Sequence, residues 1–479
     1  MPKFCWGLML WATLCLVGGA GVGAQEGNLA GLRSEARAGL QRAIAFYRTQ
    51  VATHGGYVYH YSLDLTRRWG EGEATRDQIW VQPPGTPTVG LAYLAAYQAT
   101  QDDEYLAAVQ EVAEALLYGQ LESGGWSNCI DFDPQGQRTS RYRNGRGGGK
   151  NNSSLDDGQT QTAIRFLLRA DQALRFEHAK IHEATLLALD SLLAAQYPCG
   201  AFPQVWSGPL PQPQPRAASL PSYDSRTEGR VKEYWNLYTL NDNVAVFVAQ
   251  TLRAAHAVYR QEKYLDALKR LGDFLILAQL PEPQPAWAQQ YTFEMHPAWA
   301  RRFEPPAISG FESQEVIALL MEIYLATGQE KYLEPLPAAL AYLQRSTLAD
   351  GRLARYYELQ TNRPLYMERE GNEYHLTYKD DRLPDHYGWK TSSNVVQLRQ
   401  ALATVRSRYG QREAEPSAAS LAEEVRAVLD DLDAQGRWIR YSNGQRLVGQ
   451  LRLPEGEAYL SSAVFSENVT TLANFLQAE

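Results

Sequence analysis

The feature that most constrains the fold is a repeat of two helical segments. Five times along the chain, an apolar segment is followed by a more charged one, and in both the apolar residues recur at i, i+3, i+4 and i+7. The first pair reads TVGLAYLAAYQAT and then YLAAVQEVAEALLYGQ. A short aromatic unit with Gly or another small residue precedes each pair. These units begin at His54, Ser123, Cys199, Pro285 and Asp350, and a sixth begins at Gln435.

The difference in polarity between the two helices of a pair predicts where each one lies. The first is the more apolar and belongs inside, whereas the second carries more charge and belongs outside. No segment predicts a long strand ladder, so the alternation predicts an all-α fold, an α/α toroid that is either closed or incomplete. A stacked helical solenoid is the alternative. Long irregular loops and polar residues on the inner helices favour the toroid.

The connections between helices differ in length. Short turns such as QDDE and RQEK join the two helices of a pair, whereas long segments such as 124–155 and 200–240 join one pair to the next. All the long connections must therefore lie at one end of the toroid. Long loops on one face of a rigid scaffold commonly build the functional site.

The N-terminal segment predicts export. Lys3 precedes an apolar run that ends in Gly-Val-Gly-Ala before Gln25, the pattern of a secretory signal, with a membrane anchor as the alternative. The expected organisation is a signal peptide over 1–24, a toroid domain over 25–404 and a C-terminal helical segment over 405–479 that completes the toroid. The mature chain is then secreted or periplasmic, with no stable membrane insertion.

Charge and cysteine content narrow the function classes. The net charge is −8 and the sequence has no basic stripe, which excludes nucleic-acid binding. Once the signal is removed, Cys129 and Cys199 remain, either as a disulfide or as free thiols. Two cysteines are too few for a structural zinc site.

Two similar acidic clusters precede neighbouring inner helices. One is SLDDGQTQTAIRFL, with Asp156 and Asp157, and the other is TLNDNVAVFVAQTL, with Asn241 and Asp242. Asp and Asn are favoured N-caps of helices. Their oxygens are also the ligands that calcium prefers. The residues alone leave both roles open, and the two roles are compatible on different oxygens.

Several ordered motifs carry a family resemblance. They are GAFPQ (200–204), TLNDN (239–243), ARRFEPPAISGFES (300–313), ARYYELQTNRPLY (354–366), REG (369–371) and YGW (387–389). Together they resemble the pectic acid lyase family, polysaccharide lyase family 10, over roughly residues 50 to 395. The family usually has Gly-Gly-Trp-Pro-Gln and Arg-Asp-Gly where this chain has GAFPQ and REG.

The resemblance implies a fold and an activity. The fold is an α/α toroid, in agreement with the helical repeat. The activity is that of a secreted pectate lyase, which cleaves polygalacturonate by calcium-assisted β-elimination and gives 4,5-unsaturated oligogalacturonides. We expect a monomer.

The resemblance also implies roles for individual residues. Asp242 and Asn241 correspond to the family's calcium site, and Asp156 or Asp157 is expected to add a ligand from the neighbouring helix. Arg301 occupies the position of the catalytic base.

Further side chains on the loops are expected to bind substrate. Arginine binds carboxylates in a bidentate manner, which suits Arg355 and Arg369 to a uronate. Lys390 is expected to bind substrate as well. Four aromatic residues are candidates for stacking on sugar rings: Trp126, Phe202, Trp206 and Trp389.

Arginine is an unusual base because it stays protonated in proteins. Alternatives for the base are Tyr357, His375, Lys379 and Lys390.

Two other functions stay open at this point. One is an α/α-barrel glycoside hydrolase acting on a uronic-acid-containing polysaccharide, with Asp242 and Glu312 as its carboxylates. The other is a non-catalytic pectin-binding relative.

Overall fold

The computed structural model describes residues 22–411 and 416–479, and in these ranges helices dominate. Most of the predicted signal peptide, residues 1–21, lies outside the described residues. The helices are α1 (Val22–Phe46), α2 (Thr86–Thr100), α3 (Asp103–Tyr118), α4 (Gln159–Ala173), α5 (Ala179–Ala194), α6 (Val244–Tyr259), α7 (Glu262–Leu277), α8 (Glu312–Thr327), α9 (Leu336–Arg345), α10 (Val395–Arg408), α11 (Ala418–Asp430) and α12 (Ser462–Gln477).

The helices form two concentric layers. In the inner layer, α2, α4, α6, α8 and α10 each pack against the next, and the first four are each followed along the chain by an outer partner with which they are in contact (α3, α5, α7 and α9). The prediction of an all-α toroid of inner and outer helices is confirmed. In the C-terminal segment, α12 packs against α2, α1 and α11, so helices from the two ends of the chain meet.

Short strands connect the long loops at one end of the toroid. They are β1 (His60–Ser62), β2 (Arg68–Gly70), β3 (Gly72–Glu73), β4 (Gln78–Trp80), β5 (Cys129–Asp131), β6 (Ser153–Ser154), β7 (Val205–Trp206), β8 (Tyr238–Thr239), β9 (Gln290–Tyr291), β10 (Ile308–Ser309), β11 (Arg352–Ala354), β12 (Tyr356–Tyr357), β13 (Pro364–Glu370), β14 (Glu373–Thr377), β15 (Lys390–Ser392), β16 (Arg440–Tyr441) and β17 (Ala458–Ser461).

One strand ladder is longer than the sequence suggested. Strands β13 and β14 form an antiparallel hairpin whose register runs from Tyr366 opposite Thr377 to Glu370 opposite Glu373. The hairpin turn lies beside the 300–307 loop, where Arg302 donates a hydrogen bond to the backbone oxygen of Asn372 (3.5 Å).

The aromatic units fasten the loops to the helical scaffold. In three units, a buried tryptophan donates its indole N–H to a backbone oxygen in the last turn of the preceding outer helix, where carbonyl groups lack helical partners. The pairs are Trp126 with Leu116 (2.8 Å), Trp287 with Leu275 (2.7 Å) and Trp438 with Val428 (2.9 Å). The loops that begin at these three tryptophans therefore start from fixed points on the scaffold.

The glycines of these units make close contacts with outer helices. Gly200 has a φ of +98°, and a Cβ there would lie 1.9 Å from the backbone oxygen of Arg270. Gly436 has a φ of +83°, and its Cβ would lie 2.4 Å from the backbone oxygen of Arg42. Because any side chain would collide with backbone, the repeat requires glycine at these two positions.

Two sequence expectations concern thiols and membranes. Cys129 and Cys199 are both buried and are free thiols, not a disulfide. Across the described ranges, no helix combines the length and the apolar character needed to cross a membrane.

Candidate active site

The two acidic clusters adopt the same kind of backbone turn, in which two consecutive residues have positive φ values. Asp157 and Gly158, which precede α4, have φ values of 45° and 78°. Asp242 and Asn243, which precede α6, have φ values of 53° and 58°. Asp, Asn and Gly adopt this left-handed region at the lowest cost. The residues at the two N-cap positions, Gly158 and Asn243, make no side-chain capping bond, so the clusters are not helix caps.

The turns bring three carboxylates together. One oxygen each of Asp156, Asp157 and Asp242 can be chosen so that all three lie within 4.8 Å of one another; we call these residues the acidic triad. Burial raises the pKa of Asp157 to about 7, with Asp242 and Glu71 adding to the effect. Burial also raises the pKa of Asp156 and of Asp242. Like charges this close are unfavourable unless a proton or a cation compensates them.

A fourth oxygen near the triad lacks a partner. The side-chain Oδ1 of Asn241 is buried and accepts no hydrogen bond. The amide nitrogen of the same side chain lies 3.5 Å from Oε1 of Glu304. A buried acceptor without a donor is costly, and a cation or a water molecule would satisfy it.

Two glutamine side chains orient the triad. Gln204 Nε2 donates to Oδ1 of Asp156 (3.0 Å) and to Oδ2 of Asp242 (2.6 Å). Gln82 Nε2 donates to Oδ2 of Asp157 (3.2 Å) and to Oε1 of Glu71 (3.1 Å). These hydrogen bonds favour the ionised carboxylates and fix their orientation.

Sequence reasoning missed these glutamines, although the repeat contained a signal for Gln204. It stands two residues after Phe202, the buried aromatic residue of its unit, and Asn128 and Gln289 follow Trp126 and Trp287 at the same spacing. Gln82 follows the buried Trp80, which lies outside the units, at this spacing too, and we call Gln82, Asn128, Gln204 and Gln289 the amide series.

Arg301 lies against the acidic triad. Its Nη2 lies 2.7 Å from Asp242 and 3.4 Å from Asp156, and its Nη1 lies 2.9 Å from Glu304. The side chain is 26% exposed, so one part of the guanidinium faces solvent. Burial lowers the pKa of Arg301, but Asp242, Glu304 and Asp156 outweigh it, and the net effect raises the pKa. With the acids uncompensated, Arg301 is therefore held protonated.

Arg355 does not face open solvent as expected of a substrate ligand. Its Nη2 lies 2.5 Å from Oε1 of Glu312, and its side chain is 11% exposed. The guanidinium also lies between the rings of Phe311 and Tyr387, at 4.6 and 5.0 Å from their centroids. Glu312 in turn accepts a hydrogen bond from Ser309. These contacts make Arg355 a structural partner of a buried carboxylate.

The other two cationic candidates, Arg369 and Lys390, differ in whether their charge is already paired. Arg369, on β13, is exposed and uses its Nε to donate to the backbone oxygen of Gly371 (2.8 Å). Lys390 is 14% exposed and pairs with Asp380 (2.5 Å) and Asp350 (3.4 Å). Arg369 can still bind a substrate carboxylate, whereas Lys390 is already neutralised by two acids.

The expected stacking residues are buried. Phe202 is 1% exposed and Trp389 is 3% exposed, and both Trp126 and Trp206 are buried as well. Rings covered in this way have no face for a sugar, so the structure corrects the prediction that these residues stack on substrate. Phe202 and Trp389 pack beneath the loops instead.

Three alternatives for the base lie away from the triad. Tyr357 is buried and donates its hydroxyl to the backbone oxygen of Ser346 (2.6 Å). His375 and Lys379 are exposed, His375 on β14 and Lys379 just beyond it. In the part of the chain that the structure describes, none of the three forms a hydrogen bond or an ion pair with the acidic triad.

A comparison with known families covers the segment that holds the site. Residues 120–354 match the pectic acid lyase family. This segment is just under half of the chain, and it contains the acidic triad, Asn241 and Arg301. The resemblance to this family that the motifs carry is confirmed over this segment. A search of curated proteins gave no match.

Solved structures show distant likeness. A variant of the family 10 polysaccharide lyase from Cellvibrio cellulosa, in complex with trigalacturonic acid, is 19% identical, with 68% of this chain and 98% of that chain covered and a TM-score of 0.47. The cellobiose 2-epimerase from Spirochaeta thermophila is 15% identical, with coverages of 94% and 98% and a TM-score of 0.46. Likeness at this level says nothing about the reaction.

Proposed function

We propose that this protein is a secreted pectate lyase that cleaves polygalacturonate by calcium-assisted β-elimination and acts as a monomer. The observation that carries the proposal is the contact between Arg301 and the acidic triad inside the segment that matches the family. Secretion rests on the signal-like pattern of residues 1–24, and a periplasmic location is compatible with the same pattern.

The residues of the triad fit calcium. Three carboxylates and the unpartnered amide oxygen of Asn241 form a set of hard oxygen donors, with no thiol or imidazole in the described cluster. Asp156, Asp157 and Asp242 would hold the ion. When bound, calcium would help to neutralise the substrate carboxylate and so stabilise the negative charge that develops during elimination.

In the proposed reaction, Arg301 is the base that accepts the proton from C5. The C5–H bond breaks, its proton passes to the neutral guanidine of Arg301, and its electron pair forms the double bond between C4 and C5 as the bond from C4 to the glycosidic oxygen breaks. The glycosidic oxygen keeps the electron pair of that bond and takes a proton from water. For this, Arg301 must lose a proton beforehand. A cation that compensates the negative charges of Asp156 and Asp242 would remove two of the interactions that raise the pKa of Arg301. Burial would still lower this pKa.

Other side chains then have supporting roles. Glu304, buried and 2.9 Å from Nη1, orients the guanidinium of Arg301. Arg369, exposed on the hairpin beside the 300–307 loop, is available for a substrate carboxylate. Arg355 holds Glu312 in place. Because Glu312 is buried and already paired, the structure disfavours the hydrolase alternative, which needs that carboxylate at the substrate.

The test is the pair of variants Arg301→Ala and Arg302→Ala. Loss of the base should lower kcat by about 10²–10⁴-fold, with oligogalacturonate binding largely kept. Arg302 is the matched control, because it is exposed and, among the described residues, its side chain makes only a long contact to the backbone of Asn372. The assay is the near-ultraviolet absorbance of the unsaturated product, and the folded state is checked by circular dichroism. Near-normal kcat in the folded Arg301→Ala variant would refute the assignment.

Product analysis separates the proposal from its rivals. A lyase forms one unsaturated end for every new reducing end. Reducing ends without the absorbance would indicate hydrolysis, and binding without turnover in the presence of calcium would indicate a non-catalytic pectin-binding protein.

A further inference from the structure

A cavity opens on the loop end of the toroid, beside the acidic triad but separate from it. It has a volume of about 370 Å³ and lies between the 127–128 turn and the glycine-rich loop that follows β5. We call it the basic pocket, and its lining residues are Ser127, Asn128, Arg138, Ser140, Lys150 and Asn152. It contains none of the residues assigned to the acidic triad or to Arg301.

Hydrogen bonds connect the basic pocket to the acidic triad. Asn128, a member of the amide series, donates its Nδ2 to Oε2 of Glu71 (3.1 Å). The other oxygen of Glu71 accepts from Gln82 (3.1 Å), and Gln82 also donates to Asp157 (3.2 Å). Three hydrogen bonds thus lead from the pocket wall to the triad. A chain-like ligand bound at the triad and extending along this side would reach the pocket.

The loop that supplies most of the pocket lining carries positive charge and no acidic residue of its own. The segment 134–155 contains five Arg and Lys residues and no Asp or Glu, in a chain whose net charge is −8. Two of the five are paired elsewhere, Arg141 with Glu122 (3.9 Å) and Arg143 with Glu183 (2.5 Å).

The two cations that line the pocket lack such partners. Arg138 lies 4.9 Å above the ring of Trp80, and neither Arg138 nor Lys150 forms an ion pair within the ranges that the structure describes. A local excess of positive charge on an acidic protein attracts an anion.

We propose that the basic pocket is a distal subsite that binds the carboxylate of a uronic acid unit away from the point of cleavage. The ring of Trp80 covers one face of the Arg138 guanidinium. The edge of the guanidinium, which carries the N–H groups, is left free to bind a carboxylate in a bidentate manner. Lys150 adds a second positive charge, and Ser127, Ser140 and Asn152 offer polar groups for sugar hydroxyls. The subsite rests on the proposed function, since it presumes an acidic polysaccharide that also spans the triad.

The experiment uses the variant R138Q/K150Q, the control R146Q and a length series of oligogalacturonates at physiological salt. Arg146 is exposed on the same loop but lies outside the pocket. For long polygalacturonate, KM should rise about tenfold or more in R138Q/K150Q, with kcat kept, because charge-assisted contacts are lost. For the shortest oligomer that is cleaved, kcat/KM should stay unchanged in R138Q/K150Q. R146Q should match the wild type at every length.

Other outcomes would overturn the subsite. If R138Q/K150Q equals the wild type at every length while unsaturated product forms normally, the pocket binds no substrate and the proposed function stands. If the wild type forms no product, calorimetry with oligogalacturonate decides: weaker binding by R138Q/K150Q than by R146Q supports the subsite, and equal binding refutes it. Tight binding of inorganic phosphate at the pocket, without competition by oligogalacturonate, would identify a phosphate site and also refute the subsite.

Discussion

Replacing Asp157 with Asn should stabilise the calcium-free protein and weaken its response to calcium. Asp157 has a φ of 45°, a conformation that Asn tolerates as well as Asp, so the change adds no backbone strain. The Asn side chain keeps the shape and an acceptor for Gln82, which lies 3.2 Å away. The substitution thus removes one negative charge from the triad and little else.

The magnitude follows from the pKa of Asp157. Burial raises this pKa from 3.8 to about 7. Since a tenfold change in proton affinity corresponds to about 1.4 kcal/mol, the ionised folded state above pH 7 carries a penalty of about 4 kcal/mol. Because the side chain is partly exposed and solvent screens its charge, we halve this penalty to about 2 kcal/mol. The sign follows from proton binding: the penalty is absent below pH 4, grows between pH 4 and 7, and is complete above pH 7.

The assay is denaturant unfolding at pH 8, with chelator or with calcium. In chelator, Asp157→Asn should be about 2 kcal/mol more stable than the wild type, and at pH 4 the two should be equal, provided both are folded there. Calcium at 100 times its Kd adds about 2.7 kcal/mol to a protein that binds it. The wild type should gain this stability and Asp157→Asn much less. With calcium, the wild type should therefore be the more stable of the two. The exposed Asp381→Asn is the control. Equal stability in chelator, or an equal gain from calcium, would refute the reasoning.

Two further variants test other parts of the structure. Gln204→Leu removes the donor shared by Asp156 and Asp242 and should weaken calcium binding about 10–100-fold in calorimetry, whereas Gln289→Leu, which alters an amide outside the triad, should not. Burial lowers the pKa of His60 to about 4, so the stability that neutral His60 contributes is present above pH 6.5 and is lost as the pH falls towards 4. The wild type should lose about 3 kcal/mol more than His60→Gln over this interval in denaturant unfolding; parallel losses would contradict the burial of a neutral imidazole.

Much of the scaffold could be predicted because its signals are local. Periodic apolar residues gave five helix pairs and their inner or outer position, and unequal connection lengths placed the loops at one end. The same reasoning brought Asp156, Asp157 and Asp242 together, since neighbouring inner helices begin side by side. The sixth aromatic unit led to the expectation that the C-terminal segment completes the toroid, but the contacts of α12 with α1 and α2 were not predicted, because they join opposite ends of the chain and no local pattern records such a contact.

The details of the site depend on tertiary contacts that motifs do not show. Arg355 and Glu312 stand 43 residues apart, and their pairing was invisible until the loop positions were known. Phe202 and Trp389 are buried beneath the loops, whereas their place on the loop face of the toroid suggested exposed rings. Gln204 illustrates the reverse case: its position after the aromatic residue was visible in the repeat, but its two carboxylate partners were not.

The central claim is that the acidic triad and Arg301 perform calcium-assisted elimination on polygalacturonate. The most direct test follows the absorbance of the unsaturated product while calcium is added, removed by a chelator and added again, in the wild type and in Asp242→Ala. We expect product formation by the wild type to start, stop and resume with calcium, and Asp242→Ala to respond no longer. Product formation that continues in the chelator, or an unchanged calcium response in Asp242→Ala, would contradict the claim.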